Sequence, residues 1–298
     1  IIVMNIAILG YGAVGKSLTN VFSESNNKLS VFSSGKYLEN NNKFLVSQFP
    51  IESFSRDLST QDIIFLTTKN PNVTNYIDIV TKIMGKNSLI LPIQNGFYSY
   101  ELYKKKFFER TLASSISIVT NISKNKLQNN TKKPTISSVR PNPVNLSKTF
   151  NKFIESSEGL INFEIFEDEN VLLWRKFTRI VALSLSCIYF QSNLGEILAN
   201  KQKFNFLKSI LLEMKNVAFG YGVLIDIDQE LKRISTISPK LKTSLFHSLE
   251  NKNSGEYEYL ITEAIKKARF KNIKIEQIEF ANKEIHKRYT WLYNIITV

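Results

Sequence analysis

The sequence contains very little cysteine or histidine, and this scarcity excludes several classes of protein. Among 298 residues there are one cysteine and two histidines. A single cysteine, Cys187, cannot form an intrachain disulfide or a multi-cysteine zinc site. His247 and His286 are too far apart and too poorly accompanied to indicate a metal site, so we expect no bound metal ion. Without a disulfide framework the chain suits a reducing compartment, and we expect a cytoplasmic protein.

Long hydrophobic runs are also missing. No apolar run approaches the roughly 20 residues that a helix needs to span a bilayer, and no charged-then-apolar leader is recognisable. We therefore expect no membrane partner. The net charge of +13 raises the question of nucleic acid, but the lysine-rich spots are scattered over predicted helix faces and loops. We expect no nucleic-acid partner, and the positive field would instead attract an anionic cofactor and an acid substrate.

A glycine-rich turn near the start of the chain, I-A-I-L-G-Y-G-A-V-G-K-S, fits two phosphate-binding patterns. Gly10, Gly12 and Gly15 fit the G-x-G-x-x-G of a dinucleotide-binding turn. Gly10 and Gly15 with Lys16 and Ser17 fit the P-loop of nucleotide triphosphatases. Both designs place the turn between a buried strand and a helix N-terminus, whose free N–H groups attract phosphate.

The surrounding sequence favours the dinucleotide pattern. Val3–Leu9 is a nearly continuous apolar strand, and a second strand at Lys28–Phe32 completes a βαβ unit of the expected length. A P-loop enzyme also needs a carboxylate at the end of another strand to hold magnesium, whereas the strand Ile63–Leu66 is followed by T-T-K. We predict a dinucleotide site at the turn, to which Ala13 and Val14 at the helix start also belong.

Strand and helix signals alternate in the first half of the chain and helical periodicity dominates the second. Further strands are predicted at Phe44–Phe49, Ser88–Ile93, Thr111–Thr120, Thr135–Val139 and Ile161–Phe166, with Asn121–Lys133 as a polar hairpin loop. Helices are predicted at Glu167–Phe190, Phe204–Gly220, Asp228–Lys232, Pro239–Leu249, Gly255–Phe270 and Ile275–Tyr293. This pattern predicts an α/β fold, with an N-terminal Rossmann-like dinucleotide-binding domain (residues 1–166) followed by an all-helical C-terminal domain (residues 167–298).

Lys176 is the most informative residue of the second half. On the first helix of that half it lies in a stripe with Leu172, Ile180, Leu183 and Cys187. A lysine in an apolar stripe either faces a partner, cavity or substrate, or extends its ammonium to solvent along apolar surface; the pattern leaves both possibilities open. Desolvation would lower its pKa from about 10.4 and make it a better proton donor near neutrality.

Four other polar residues are candidates for a site. Lys69 and Asn95 follow successive predicted strands, at the sheet edge where doubly wound proteins bind ligands. An ordinary loop lysine and a common Asn-Gly turn would also explain them. Glu256 begins a predicted helix, where a capping box with Asn253 would equally account for it. Ser244, in K-T-S-L-F, could be a helix-surface serine.

Taken in order, these motifs resemble the ketopantoate reductase family (2-dehydropantoate 2-reductases). The matching pieces are G-Y-G-A-V-G, T-K, Q-N-G, W-R-K-F, N-L-G-E, T-S-L and G-E-Y-E-Y, and they extend over nearly the whole chain. The resemblance implies reduction of a 2-oxo acid, ketopantoate, to pantoate by NADPH in pantothenate and coenzyme A biosynthesis. It is compatible with a monomer or a homodimer.

The resemblance also implies roles for individual residues. Lys176 matches the catalytic lysine, which donates a proton as hydride reaches the 2-oxo carbon, and Glu256 matches the acid that helps to position it. Asn95 matches an asparagine near the nicotinamide and the substrate, and Lys69 a lysine close to both. Ser244 matches a serine that contacts the substrate carboxylate.

The end of the second strand bears on the choice of cofactor. An NAD site usually has an acidic residue there to bind the adenosine ribose. This chain has Ser33, Ser34 and Lys36 in V-F-S-S-G-K, with no carboxylate before Glu39. Hydroxyl groups and a cation suit a 2′-phosphate, so we predict NADPH/NADP+ over NADH.

Some positions depart from the family pattern. Ile180 and Ser184 stand where asparagines are usual after the catalytic lysine, and the acid that is usual shortly after T-S-L is replaced by Ser248 or missing. These changes leave two alternatives to ketopantoate reduction. The chain could be a relative that reduces a different 2-oxo acid, or a catalytically degenerate dinucleotide-binding regulator.

Overall fold

The computed structural model describes most of the chain and divides it into two compact units. The described residues are 2–33, 45–48, 60–118, 120–123, 126–129 and 133–292. Unit 1 comprises Ile1–Gln94 and Tyr98–Leu172, and unit 2 comprises Asn95–Phe97 and Leu173–Val298. The predicted boundary follows Phe166, whereas this division falls later, within the first long helix of the second half.

Unit 1 is built on a five-stranded parallel sheet in the order β3-β2-β1-β4-β5. Its strands are β1 (Asn5–Leu9), β2 (Lys28–Ser33), β3 (Leu45–Gln48), β4 (Gln61–Leu66) and β5 (Met84–Pro92). Its helices are α1 (Ala13–Ser23), α2 (Ile77–Ile83), α3 (Tyr98–Phe107) and α4 (Val144–Ser156), with a 3₁₀ segment at Asn70–Tyr76. β1 is flanked by β2 and β4. Such a central parallel strand is buried on both faces and therefore needs a continuous apolar run.

Three phenylalanines show how the helices of unit 1 cover the sheet. Phe22 of α1 and Phe153 of α4 lie with ring centroids 5.7 and 5.8 Å from that of Phe65 on β4. All three side chains are fully buried. β1 and β4 are paired in parallel beneath these helices, so their carboxyl ends lie side by side at one edge of the sheet.

The strands that follow differ in part from the prediction. β6 (Ser114–Ser117), β9 (Thr135–Val139) and β10 (Asn162–Phe166) form a three-stranded sheet in the order β10-β9-β6. Between β6 and β9, a separate antiparallel hairpin joins β7 (Thr120–Ser123) to β8 (Lys126–Asn129). The prediction of a loop over Asn121–Lys133 is therefore wrong. Of its four cross-strand pairs only Ile122–Leu127 joins two apolar residues, so the largely polar sequence carries no clear strand signal.

Unit 2 is helical. Its helices are α5 (Glu169–Phe190, most of which belongs to this unit), α6 (Leu194–Ala199), α7 (Lys201–Gly220), α8 (Ile227–Ser235), α9 (Ser244–Glu250), α10 (Glu263–Phe270) and α11 (Glu276–Arg288), with a π-helical segment at Glu258–Thr262 preceding α10. The predicted fold class, a parallel-sheet domain followed by a helical domain, is confirmed. In the part of the chain that the structure describes, no helix is both long and apolar enough to cross a membrane.

One predicted helix start in unit 2 is wrong. The helix predicted from Pro239 begins at Ser244 instead, with Thr243 as its N-cap. The backbone before it is engaged elsewhere: the Pro239 carbonyl accepts a hydrogen bond from the Gly195 N–H at 2.7 Å. Gly195 belongs to the short helix α6, whose N-terminus is closed by a capping box. This hydrogen bond keeps the backbone at Pro239 outside the helix, although the dipeptide Ser238-Pro239 is typical of a helix start.

Candidate active site

The glycine turn has the geometry of a tight strand-to-helix connection. Gly10 adopts φ +112°, and a Cβ there would lie 2.6 Å from Thr68 Cγ2. A Cβ on Gly15 would lie 1.9 Å from the Gly10 carbonyl oxygen. Gly12, by contrast, is the exposed N-cap of α1, and no described heavy atom lies within 4 Å of where its Cβ would be. The outer glycines are required by packing, and the middle one leaves open space at the helix N-terminus.

Thr67 holds this turn in place from the end of β4. Its backbone N–H donates to the Leu9 carbonyl at 2.9 Å. Its hydroxyl lies 2.9 and 2.6 Å from the carbonyl oxygens of Leu9 and Gly10, to which it can donate. The open space beside a helix N-terminus whose turn is braced in this way is a cradle for a pyrophosphate.

The same geometry speaks against the P-loop alternative. α1 begins at Ala13, so Lys16 and Ser17 lie inside the helix rather than at its start. Ser17 is fully buried, whereas a P-loop serine must reach a magnesium ion. The Lys16 amine lies 5.1 Å from the centroid of the Tyr11 ring. The turn fits a dinucleotide better than a nucleoside triphosphate.

Two polar side chains that the sequence argument did not select also lie at the carboxyl edge of the sheet. The Thr68 hydroxyl follows β4 and the Gln94 side-chain amide follows β5. Both are buried, and neither has a hydrogen-bond partner among the described residues. Buried polar groups are nearly always satisfied, so unsatisfied ones at this edge are suited to receive a ligand. The only sequence signal for them is their position inside the T-T-K and Q-N-G motifs.

The other residues predicted to contact the cofactor are placed only in part. Ala13 and Val14 form the first turn of α1 and are partly exposed, and Lys69 is exposed after β4. Ser33 is buried at the end of β2. Ser34 and Lys36 lie outside the described residues.

Lys176 occupies α5 among largely buried residues. Part of its surface stays accessible, but protein surrounds the ammonium, and its pKa is lowered from 10.5 to about 8. Burial is the largest cause, because it disfavours the charged form, and the nearby charge of Arg179 adds to it. The Glu256 carboxylate acts in the opposite direction and raises the pKa. A lysine of this kind holds a proton that it can release near neutral pH.

Glu256 lies in a turn shaped by the residues before it. The Asn253 carboxamide oxygen accepts a hydrogen bond from the Gly255 N–H at 2.7 Å. Gly255 adopts φ +58°, and a Cβ there would lie 2.8 Å from Ser248 Oγ. Helical backbone begins at Tyr257, so Glu256 lies directly before the first helical residue. Ser248 on α9 is small enough for the backbone of Gly255 to approach it this closely.

The Q-N-G motif places Asn95 in unit 2. Gly96 adopts φ +86°, and a Cβ there would lie 2.6 Å from the Tyr259 carbonyl oxygen, just after Glu256. The Phe97 ring lies 5.0 Å from the rings of both Trp174 and Phe177, the residues on either side of Arg175 and Lys176. The structure thus brings Asn95, Lys176 and Glu256 into one helical unit.

Ser244 is less closely connected to these residues. It is the exposed first residue of α9. The next residue, Leu245, has its Cδ1 3.5 Å from the position a Gly255 Cβ would take. The start of α9 therefore lies against the turn that carries Glu256.

A buried ion cluster adjoins Lys176. Glu230 on α8 is fully buried, and its carboxylate accepts hydrogen bonds from Arg175 Nε at 2.8 Å and from Arg179. Both arginines lie on α5, one on each side of Lys176 in sequence. One buried carboxylate bound by two guanidinium groups leaves an excess positive charge near the lysine, in agreement with the lowered pKa of Lys176.

Comparison with known proteins identifies the family. Models described as ketopantoate reductase PanE/ApbA and its C-terminal domain match residues 6–136 and 170–288. The chain belongs to the ketopantoate reductase family. This is a family of NAD(P)-dependent oxidoreductases that act on a CH–OH group, so the predicted enzyme class and family are confirmed.

Individual relatives are distant but match along their full length. The uncharacterized oxidoreductase YkpB of Bacillus subtilis (strain 168) is 22% identical, over 95% of this chain and 99% of its own. A ternary complex of D-mandelate dehydrogenase with NADH and anilino(oxo)acetate superposes with a TM-score of 0.80 at 17% identity, covering 97% and 99%. A dimeric ketopantoate reductase from Staphylococcus aureus superposes with a TM-score of 0.75 at 16% identity, over 96% of this chain and 99% of its own. These structures share the fold of this ketopantoate reductase family member.

Proposed function

We propose that this protein reduces a 2-oxo acid with NADPH, and that ketopantoate is the first acid to test because the family is named for its reduction. The observation that carries the proposal is the environment of Lys176. Protein encloses this lysine and lowers its pKa to about 8, and the carboxylate of Glu256 acts on it in the opposite direction. Structural lysines on helix surfaces rarely meet both conditions. Perturbed groups of this kind cluster at catalytic sites.

Each candidate residue has a role in this reaction. A bound nicotinamide dinucleotide supplies the hydride. Lys176 donates a proton from its ammonium to the carbonyl oxygen, which becomes the hydroxyl of the product, and the neutral amine then recovers a proton from solvent. Glu256 holds Lys176 in its protonated form. Asn95 and Ser244 offer an amide and a hydroxyl for the oxo and carboxylate groups.

Unit 1 supplies the candidates for holding the cofactor. Gly10, Gly12 and Gly15 shape the pyrophosphate cradle, and Lys69 offers a cation after β4. The choice of NADPH over NADH rests on the sequence from Ser33 onward, which lacks the ribose-binding carboxylate of NAD sites. We propose a monomer or homodimer in the cytoplasm; one neighbour is described as dimeric.

A second candidate function is the reduction of a different 2-oxo acid. Ile180 and Ser184 replace amides that the resemblance leads us to expect beside the lysine, and a buried hydrogen bond lost with them would weaken binding of a hydroxylated substrate. A structural neighbour, D-mandelate dehydrogenase, is described in complex with an aromatic oxo acid.

The experiment that tests the proposal is a screen of NADPH and NADH oxidation over a panel of 2-oxo acids that includes ketopantoate. The wild type should oxidise NADPH in preference, and Lys176→Ala should lose turnover by a factor of about 100 or more while still binding NADPH. An equal preference for NADH would contradict the cofactor assignment. NADPH binding without oxidation by any acid would favour the regulator alternative.

A further inference from the structure

The accessible surface of α5 near Lys176 is small. Between Trp174 and Tyr189, the residues of this helix that are partly exposed rather than buried are Arg175, Lys176, Arg179 and Ile180. The two arginines are held by the buried carboxylate of Glu230. Lys176 and Ile180 therefore make up the rest of the exposed helix face.

Ile180 lies one helical turn beyond Lys176, where Cβ atoms are about 5–6 Å apart. Side chains on a helix lean toward its N-terminus, so that of Ile180 covers surface on the Lys176 side of its own Cα. Ser184, a further turn along, is fully buried and therefore contributes nothing to the accessible surface of the helix. Apart from the two arginines bound to Glu230, the partly exposed surface next to the lysine on this helix is therefore the apolar side chain of Ile180.

A 2-oxo acid bound with its carbonyl oxygen at Lys176 must place some group against this apolar surface. The carboxylate is excluded, because desolvating a charge against a methyl group is costly. A hydroxyl is disfavoured for the same reason, since it would lose its bonds to water and gain none here. An alkyl or aryl side group is the part of the substrate that gains from the contact.

We propose that Ile180 is a specificity-determining residue, which selects 2-oxo acids with a wholly apolar side group over acids that carry a terminal hydroxyl. This rests on the proposed 2-oxo acid reductase function. The side group packs on Ile180 while the carbonyl oxygen faces Lys176.

Ketopantoate and trimethylpyruvate form a matched pair for the test, because the second is the first with its hydroxyl replaced by hydrogen. For the wild type, kcat/KM for trimethylpyruvate should exceed that for ketopantoate by about 10- to 100-fold, the range over which an apolar pocket rejects an added hydroxyl. Ile180→Asn should lower this ratio by about tenfold or more, because the amide can bond to the hydroxyl.

Two control variants separate specificity from folding. Ile180→Val keeps the surface apolar and should keep the ratio. Ile273→Asn makes the same chemical change at a partly exposed isoleucine in the loop between α10 and α11, and it should also leave the ratio unchanged. A ratio of two substrates measured on one sample does not depend on the fraction of folded enzyme.

The possible outcomes are distinct. A wild-type preference for trimethylpyruvate that Ile180→Asn reduces supports the inference. A wild-type preference for ketopantoate overturns it, as does a ratio that Ile180→Asn leaves unchanged, although the reductase function would stand. If no 2-oxo acid in the panel is reduced with either cofactor, the proposed function fails and the inference fails with it.

Discussion

The pH dependence of turnover provides the most direct test of the role of Lys176. Its pKa is lowered from 10.5 to about 8, mainly by burial, which corresponds to ~3 kcal/mol against the charged form. In the direction of reduction the lysine donates a proton, so it must carry one. Reduction should be constant below the pKa of Lys176 and should fall as pH rises through it.

The size of the effect follows from the titration curve. With a pKa of about 8, roughly nine tenths of Lys176 is protonated at about pH 7 and roughly one tenth at about pH 9. Reduction at saturating NADPH should therefore fall about tenfold over this range. A lysine with the usual pKa would lose only a few per cent. The reverse oxidation needs the neutral amine, so it should rise through the same pH.

The assay is NADPH oxidation followed by absorbance from about pH 6 to about pH 10, with stability checked at each pH. Lys176→Arg is the informative variant, because arginine stays charged throughout and should abolish the fall near pH 8 along with most of the activity. Lys201→Ala, at the exposed start of α7, should leave the profile unchanged. A wild-type rate that stays flat to about pH 10 would refute the assignment of Lys176 as proton donor.

Other predictions concern the glycine turn and the buried ion cluster. Gly15→Ala should lower the free energy of unfolding by more than about 1 kcal/mol, because its Cβ would overlap a backbone carbonyl; an unchanged melting temperature would contradict this. Gly12→Ala should keep the fold to within about 1 kcal/mol but weaken NADPH binding in calorimetry, and full affinity would show that its open space is not used. Glu230→Gln should destabilise the protein by about 3 kcal/mol in urea unfolding, since Arg175 and Arg179 lose a fully buried counterion; a change within about 0.5 kcal/mol would contradict the reasoning.

The parts of the fold that local periodicity encodes could be predicted from the sequence. β1 and β4 each contain a continuous apolar run, because a parallel strand buried on both faces leaves no polar side, and the ends of both strands lie within two residues of the prediction. The hairpin of β7 and β8 could not be predicted, since only one of its cross-strand pairs, Ile122 with Leu127, is apolar, which leaves no periodic signal. The helix α6 was also missed, because six residues are too few to show a helical period.

In the candidate site too, some residues could be predicted from local sequence and others only from the folded chain. Lys176 stands out in sequence because an apolar stripe surrounds it, and the structure shows Leu172, Leu183 and Cys187 of that stripe buried. Asn95 had no comparable signal, since Asn-Gly is a common turn. Its association with the helical unit depends on Gly96, which lies against the Tyr259 carbonyl, a contact that only the folded chain defines.

The lowered pKa of Lys176 results from groups that no local pattern connects. Burial and the charge of Arg179 favour loss of the proton, whereas Glu256 favours its retention. Without Glu256, burial and Arg179 would lower the pKa of Lys176 further, and the lysine would hold its proton less firmly at neutral pH. A carboxylate alone would leave one that holds its proton too firmly. The two opposed influences together set a pKa at which the proton is present in neutral solution yet available to a carbonyl oxygen, and the fold achieves this by bringing the charges of Glu256 and Arg179 to bear on one buried ammonium.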